Sequence, residues 1–277
     1  MDKKLWDKKL KKINKLLQAQ NFDFSLEYLE VHKNNRTLNG IMIVGNNKDG
    51  IKTAPVIYVE KEFLDAPERE LADGFIEISK QYKDHPLMPD IYKAMEKDYI
   101  LSHVEPLLYN ISNADKMKAD DVICLNTPIP EFCAAMQIPI PGMENGYAKI
   151  TQRLLNYSGL AIKEVFLAAM NNLDKQLICK GIEDKKTGEN IVCFITNKRE
   201  YEGAAALFSP AAIRTVQKVL GESFYVLPLS IDEIICISLN AEPVNMQTII
   251  DAYSALDDEH RLSDKIYLFE NDSFKSV

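Results

Sequence analysis

The chain has 277 residues, of which 46% are apolar and 27% charged, a composition typical of a globular protein with one large domain or two smaller ones. Its formal charge of −8 argues against nucleic acid as the main partner, because phosphate binding needs a concentrated basic surface. The sequence shows no apolar run near the roughly 18 residues of a membrane span and no apolar core of a secretory signal, so it predicts a soluble cytoplasmic protein.

The first predicted element is a basic amphipathic helix over residues 3–18. Its apolar stripe has helical spacing and consists of Trp6, Leu10, Ile13 and Leu17. Seven lysines and two aspartates give residues 1–15 a net charge of +5, so the rest of the chain carries −13. The stripe fits packing on the protein's own sheet, and the basic face fits an acidic partner or an anionic membrane surface. In the second case the candidate binding residues are Trp6, Lys8, Lys12 and Lys15.

Three alternating segments follow this helix, and a second helix over about 67–83 closes the unit. The segments are "FSLEYLEV" (24–31), "LNGIMIV" (38–44) and "APVIYVE" (54–60), with Asn- and Gly-rich turns between them. The predicted N-terminal unit is therefore α-β-β-β-α. Pro86 and Pro89 interrupt the chain next, which predicts domains at 1–88 and 89–277. The alternative is that both form one compact unit.

From Ile91 the same order of elements is predicted again, without any residue-level repeat. It comprises a helix to about Asn110, strands at 121–126, 131–140 and 147–154, and a helix near 161–171. A distant duplication and a coincidence both explain this pattern.

The last third predicts a hairpin, "QLICKGI" with "NIVCFIT", and then a strand of small residues, "GAAALF". Gly203 in that strand permits close approach of a helix or another backbone. A helix with Ser209 as N-cap, Pro210 in its first turn and Gly221 past its end follows. The strands "SFYVLPL" and "IDEIICISL", a helix beginning at Pro243 and a closing strand "KIYLFEN" complete the chain. This tally predicts an α+β fold with mostly antiparallel sheets and packed helices.

Signatures of the common nucleotide, dinucleotide, zinc-protease and hydrolase sites do not occur in the sequence, so no cofactor and no metal is predicted. The five cysteines are widely spaced in apolar sequence, which predicts buried free thiols. Asp120 and Asp121 fit a turn before a strand better than a metal site, and His260 fits a charged loop.

The stretch "VLPLSIDEIICI" contains the candidate catalytic carboxylates, Asp232 and Glu233. Pro228 ends one strand there, and the next is predicted to begin at Ile231. Strand alternation would then place Asp232 and Glu233 on opposite faces, which argues against a side-by-side catalytic pair.

Several stretches together resemble an uncharacterised family of Gram-positive gut anaerobes, a domain of unknown function. They are "VHKNNRTLNGIMI", "TAPVIYVE", "NKREYEGAAALFSP", "YVLPLSIDEII" and "LSDKIYLFEND". The resemblance implies a single evolutionary unit and a bacterial protein, but no activity. Where relatives tend to have His, this chain has Asp232, which weakens a histidine-dependent role at that position.

Three hypotheses of function follow. The first is a non-enzymatic protein-binding or regulatory module that uses an exposed sheet face or the basic helix. The second is an enzyme of unrecognised type with Asp232 and Glu233 near a cleft. The third is an anti-defence or mobile-element protein that acts on a host machine. The oligomeric state and the identity of any partner stay open.

Overall fold

The computed structural model describes residues 3–45, 56–83, 92–142, 146–183, 187–240, 246–257 and 259–277. The chain divides into two compact units, Met1–Ile91 and Tyr92–Val277. Both combine helices with antiparallel strands, so the predicted α+β class is confirmed.

The first unit is a three-stranded sheet in the order β1-β2-β3, with two helices. Its elements are α1 (Lys3–Ala19), β1 (Phe24–Lys33), β2 (Arg36–Gly45), β3 (Val56–Val59) and α2 (Glu68–Lys83). The predicted α-β-β-β-α order is confirmed. Asn35 turns the chain between β1 and β2 with a positive φ of 54°, a conformation that Asn adopts more readily than most residues.

Both helices of this unit pack on the same face of the sheet. The stripe residues of α1 are buried with Leu26 and Ile41 from the sheet and with Phe75 from α2. The Trp6 ring is fully buried and stacks on Tyr28, with 5.4 Å between the ring centroids. The stripe therefore belongs to the core of the unit. This agrees with the interpretation that the stripe packs on the protein's own sheet.

The second unit begins with a four-stranded sheet in which β6 pairs with β4, β5 and β7. The strands are β4 (Glu105–Asn110), β5 (Leu125–Asn126), β6 (Phe132–Pro139) and β7 (Tyr147–Lys149). The helices of this part are α3 (Lys97–His103), α4 (Ala114–Ala119), α5 (Gln152–Ser158) and α6 (Ile162–Gln176). Met136 on β6 is buried together with Val165 of α6, so α6 covers this sheet.

A six-stranded sheet in the order β13-β12-β10-β11-β9-β8 forms the rest of the second unit. The strands are β8 (Leu177–Glu183), β9 (Asn190–Asn197), β10 (Phe224–Leu227), β11 (Ile234–Ser238), β12 (Tyr267–Glu270) and β13 (Ser273–Ser276). Two helices accompany it, α7 (Pro210–Leu220) and α8 (Met246–Tyr253). Every residue of the central strand β11 is buried.

Several predicted elements are wrong. The helix predicted to Asn110 ends at His103, and 105–110 form β4, which also removes the repeated element order. The strand predicted at 147–154 ends at Lys149, and α5 begins at Gln152. The "GAAALF" segment is a 3-10 helix over Ala204–Phe208, because its backbone bonds to a turn instead of a strand. β13 was not predicted. Pro86, Pro89 and Pro243 lie outside the described residues.

The prediction of five free thiols is also wrong. Cys179 on β8 and Cys193 on β9 are joined by a disulfide, because the hairpin makes them diagonal neighbours: Cys179 pairs with Ile195, two residues from Cys193. Cys124, Cys133 and Cys236 are free. None of the helices in the described ranges is both long enough and apolar enough to cross a membrane.

Candidate functional site

Asp232 and Glu233 lie in the turn between β10 and β11, since β11 begins at Ile234 and not at Ile231. Asp232 accepts a hydrogen bond from the Glu202 backbone N–H at 2.9 Å, and its other carboxylate oxygen is 2.8 Å from His260 Nδ1. The Glu233 carboxylate accepts a hydrogen bond from the Tyr253 hydroxyl. The two candidate carboxylates therefore have different partners, and Asp232 is paired with a histidine.

Glu233 has a local effect on Tyr253 of α8. Burial raises the pKa of the Tyr253 hydroxyl, and the hydrogen bond to Glu233 raises it further. Tyr253 therefore stays protonated and donates at neutral pH. This contact connects α8 to the turn between β10 and β11. The protonated Tyr253 hydroxyl does not serve as a nucleophile there.

A loop after β9 contacts Asp232 through the Glu202 backbone N–H. Glu200 and Glu202 in this loop have positive φ angles of 53° and 50°, which non-glycine residues rarely adopt. The Asn197 side chain holds the loop, because it accepts from the Arg199 N–H at 3.0 Å and donates to the Tyr201 carbonyl at 2.8 Å.

Gly203 ends this loop with a close backbone approach. A Cβ added there would lie 2.4 Å from Thr196 Oγ1, 2.7 Å from the Asn197 nitrogen and 2.8 Å from the Asp232 carbonyl oxygen. The Gly203 N–H donates to that carbonyl at 3.0 Å. The expected close approach at Gly203 is confirmed, although its partner is a turn and not a helix.

The same loop is joined to the four-stranded sheet by charged groups. Arg199 forms an ion pair with Glu105, and Glu202 accepts a hydrogen bond from Gln137 Nε2 at 2.7 Å. Burial raises the pKa of Glu105, and the positive charge of Arg199 opposes that shift. The loop thus links the two sheets of this unit through polar contacts.

His260 is placed by backbone contacts with the turn that holds Asp232. The Ile231 N–H donates to the His260 carbonyl at 2.9 Å, and Ser230 forms a β-bridge with Arg261. Three stretches that carry the family resemblance, around Gly203, Asp232 and Leu262, therefore meet at this place. Sequence reasoning assigned His260 to a charged loop and missed its pairing with Asp232.

The Asp232–His260 pair has the geometry of a base oriented by a carboxylate. A hydrogen on Nδ1 would be held by Asp232, which leaves the lone pair on Nε2 of a half-buried ring. Within the described ranges, no three His, Cys, Asp or Glu residues are grouped as metal ligands require. Asp121, which the sequence also offered as an acidic pair with Asp120, accepts hydrogen bonds from the Arg153 backbone N–H and from Arg153 Nε, both at 3.1 Å.

Some lysines of α1 lie close to an acidic residue of α2, and others lie on the exposed surface or line a groove. Lys12 lies 2.9 Å from Glu68 of α2, and Lys9 lies 3.5 Å from the same carboxylate. Lys8 is exposed. Lys15 lies in a groove of about 570 Å³ between α1 and β1. Trp6 is buried in the core, so its side chain does not belong to the basic surface.

The second face of the three-stranded sheet points away from both helices. By strand alternation and register, its apolar side chains are Leu29, Val31, Leu38, Met42, Val44, Val56 and Tyr58. Among the described residues, none of these seven belongs to an apolar core cluster, and Tyr58 is 52% exposed. We call this surface the second face.

A family model for DUF5688, a family of unknown function, matches residues 6–271. The chain belongs to this family. The match spans both units and includes α1, the second face and the Asp232–His260 pair. No curated protein and no solved structure matched the chain.

The sequence contains a pattern that indicates an apolar second face. "GIMIV" in β2 is a nearly continuous apolar run, a pattern typical of a strand with apolar surroundings on both faces. By strand alternation, Leu29 and Val31 of β1 also lie on the face that points away from α1. The pairing of Asp232 with His260 had no such signal, because 28 residues separate them.

Proposed function

We propose that this chain is a protein-binding module and that the second face of its N-terminal sheet is the surface that contacts the partner. One observation carries the proposal. Both helices of the unit pack on one face of the sheet, while seven apolar side chains lie on the other.

The packing on the second face supports a continuous apolar surface. Above Gly40 of β2, side chains from the two flanking strands converge, and a Cβ added there would lie 2.7 Å from Val56, 3.2 Å from Val31 and 3.3 Å from Leu29. Glycine at this position lets the neighbouring side chains close over the strand. Contiguous apolar patches of a few hundred Å² on a protein surface commonly mark sites of protein interaction.

The chemistry of the partner follows from this surface. A sheet face of Leu, Val, Met and Tyr side chains gains free energy by removing apolar area from water, about 25 cal/mol for each Å². Methionine adapts its shape to different partners, so Met42 suits a surface that accommodates an irregular apolar patch. The partner is thus a protein with an exposed apolar surface.

We place this binding in the bacterial cytoplasm as part of the proposal. The free thiols of Cys124, Cys133 and Cys236 support a reducing compartment, whereas the Cys179–Cys193 disulfide argues against one.

Site-specific photocrosslinking tests the proposal. Benzoylphenylalanine replaces Tyr58 in the full chain, and a matched variant carries it at Tyr157, an exposed tyrosine of α5. In cells that express the chain, the label at position 58 should give a discrete crosslinked species that the label at 157 does not give. Val31→Glu in the same chain should abolish that species.

Two results would contradict the proposal. One is the same pattern of crosslinks from both positions, and the other is a crosslink at position 58 that Val31→Glu leaves unchanged. Trp6 emission verifies that the Val31→Glu variant is folded, because the single tryptophan lies in the core of this unit.

An enzyme is the second candidate function, and the 2.8 Å contact between Asp232 and His260 favours it. The test is hydrolysis of a panel of chromogenic esters, phosphoesters and glycosides by the full chain. A turnover that His260→Gln removes, with the fold intact, would support this candidate. Equal turnover in His260→Gln and wild type would exclude the pair as the catalytic base.

A further inference from the structure

β1 is an edge strand, because β2 is its single strand neighbour in the described part of the chain. The N–H and C=O groups of Leu26 both bond to the Asn14 side chain, so they point away from β2. In an antiparallel pair, alternate residues point their backbone groups to the same side. Tyr28 and Glu30 therefore direct their N–H and C=O groups toward the outer edge as well.

Asn14 of α1 imitates a strand residue at this edge. Its side-chain oxygen accepts the Leu26 N–H at 2.8 Å, and its amide nitrogen donates to the Leu26 carbonyl at 3.0 Å. This pair of bonds is the one that an added strand would make. The Asn14 side chain thus occupies the backbone groups of the edge at Leu26, and the edge continues beyond it at Tyr28.

The groove between α1 and β1 runs along this edge, and basic residues outnumber acidic ones in its lining. It contains Lys3, Lys11 and Lys15 on α1, against two acidic residues, Asp7 on α1 and Glu27 on β1. Lys9 and Lys12, which lie close to Glu68, do not line the groove. The three groove lysines therefore present a positive surface beside an extended backbone edge.

We propose that the groove binds an extended acidic segment of another protein, which adds as a strand beside β1 at Tyr28 and Glu30. Successive side chains of an added strand point to opposite faces of the sheet. Those on the side of α1 would meet the groove lysines, and those on the other side would extend the apolar surface at Leu29 and Val31. The recognised sequence is thus an alternation of acidic and apolar residues.

This inference goes beyond the proposed function, because it adds the edge of the sheet and the lysines of α1 to the contacts of the second face. Main-chain hydrogen bonds would supply affinity without sequence selectivity, as in other cases of strand addition. The lysines would select for charge, and their contribution would weaken with salt.

The test uses the full chain and a fluorescein-labelled peptide of five Glu-Val repeats, with binding followed by fluorescence anisotropy. A peptide of five Lys-Val repeats controls for charge. An acidic peptide with N-methyl groups on alternate residues controls for strand pairing. The acidic peptide should bind, the basic and N-methylated peptides should bind at least tenfold more weakly, and raising salt from about 50 to about 300 mM should weaken binding severalfold.

Protein variants locate the site. Lys11→Gln with Lys15→Gln should weaken the peptide at least tenfold, whereas Lys8→Gln with Lys4→Gln, the same change in charge on exposed positions outside the groove lining, should change it less than twofold. Hydrogen exchange should show new protection of the Tyr28 and Glu30 amides when the peptide is bound.

The inference is wrong if the two lysine pairs have equal effects, if N-methylation leaves affinity unchanged, or if no peptide binds. Tyr58 lies on β3, at the edge of the described three-stranded sheet opposite β1. Absence of peptide binding together with a crosslink at position 58 would therefore overturn the edge site alone.

Discussion

The sheets of the two units differ in how many of their faces are covered. On the six-stranded sheet, one face packs against Ala212 and Val216 of α7, and the other packs against Ile249 and Ile250 of α8. On the three-stranded sheet, α1 and α2 share a single face. Both sheets have apolar residues on both sides. The difference indicates that apolar sequence on a strand face can serve either the protein's own core or a partner.

The largest expected effects come from the central strand of the covered sheet. Ile234 and Ile237 are fully buried on opposite faces of β11, so replacing either with Ala should cost about 3 kcal/mol of unfolding free energy. Urea unfolding followed by circular dichroism measures both losses. Ile182→Ala, at an exposed position of β8, is the control and should cost less than about 1 kcal/mol. A small loss at either buried position would contradict coverage of both faces.

Gly203→Ala tests how closely the start of the 3-10 helix packs against β9 and the turn between β10 and β11. The added methyl group would collide with the Asn197 nitrogen and the Asp232 carbonyl, so we expect a loss of about 2 kcal/mol. Gly74→Ala is the matched control, because Gly74 lies in α2 with nothing near the new methyl group. It should gain about 0.5 to 1 kcal/mol from helix propensity. Equal effects of the two changes in urea titrations would refute the close approach.

The smallest effect concerns the ion pair between the two helices on the covered face of the three-stranded sheet. The hydrogen bond from Lys12 lowers the pKa of Glu68 from 4.5 to about 2. A lowered pKa means that the contribution is present above pH 4.5 and is lost as the pH falls toward 2. Glu68→Gln should therefore flatten the pH dependence of unfolding in this window, measured by Trp6 emission.

Glu77→Gln is the control for this change, because Glu77 forms an ion pair with Lys80, an exposed lysine one turn away on the same helix. It should leave the pH dependence as in the wild type. Identical profiles for Glu68→Gln and wild type would show that the contact with Lys12 does not contribute.

Elements with local signals were predictable from the sequence. The α7 helix is an example, because Ser209 accepts the Ala211 and Ala212 N–H groups and Gly221 has a positive φ of 101°. The stripe of α1 likewise predicted its buried face. Capping and amphipathic spacing act within one or two turns, so a single segment contains all the information.

Elements set by distant contacts were not predictable. Residues 204–208 are helical because Gly203 and Ala204 bond to the backbone of Asp232 and Ile231, far along the chain. The sequence predicts helix over 105–110, but these residues form β4, whose pairing with β6 is also non-local. For the candidate site, the sequence singled out Asp232 as a candidate carboxylate, but it contained no signal for the contact with His260, 28 residues further along the chain.

The central claim is that the second face of the three-stranded sheet is a surface for a partner and not a core. The most direct measurement compares Val31→Thr on that face with Val226→Thr at a fully buried position of β10. A hydroxyl replaces a methyl group of nearly the same size in both, and burying it without a partner costs about 1–3 kcal/mol. In urea titrations we predict a loss below about 0.5 kcal/mol for Val31→Thr and about 2 kcal/mol for Val226→Thr. Equal losses in the two variants would contradict the account.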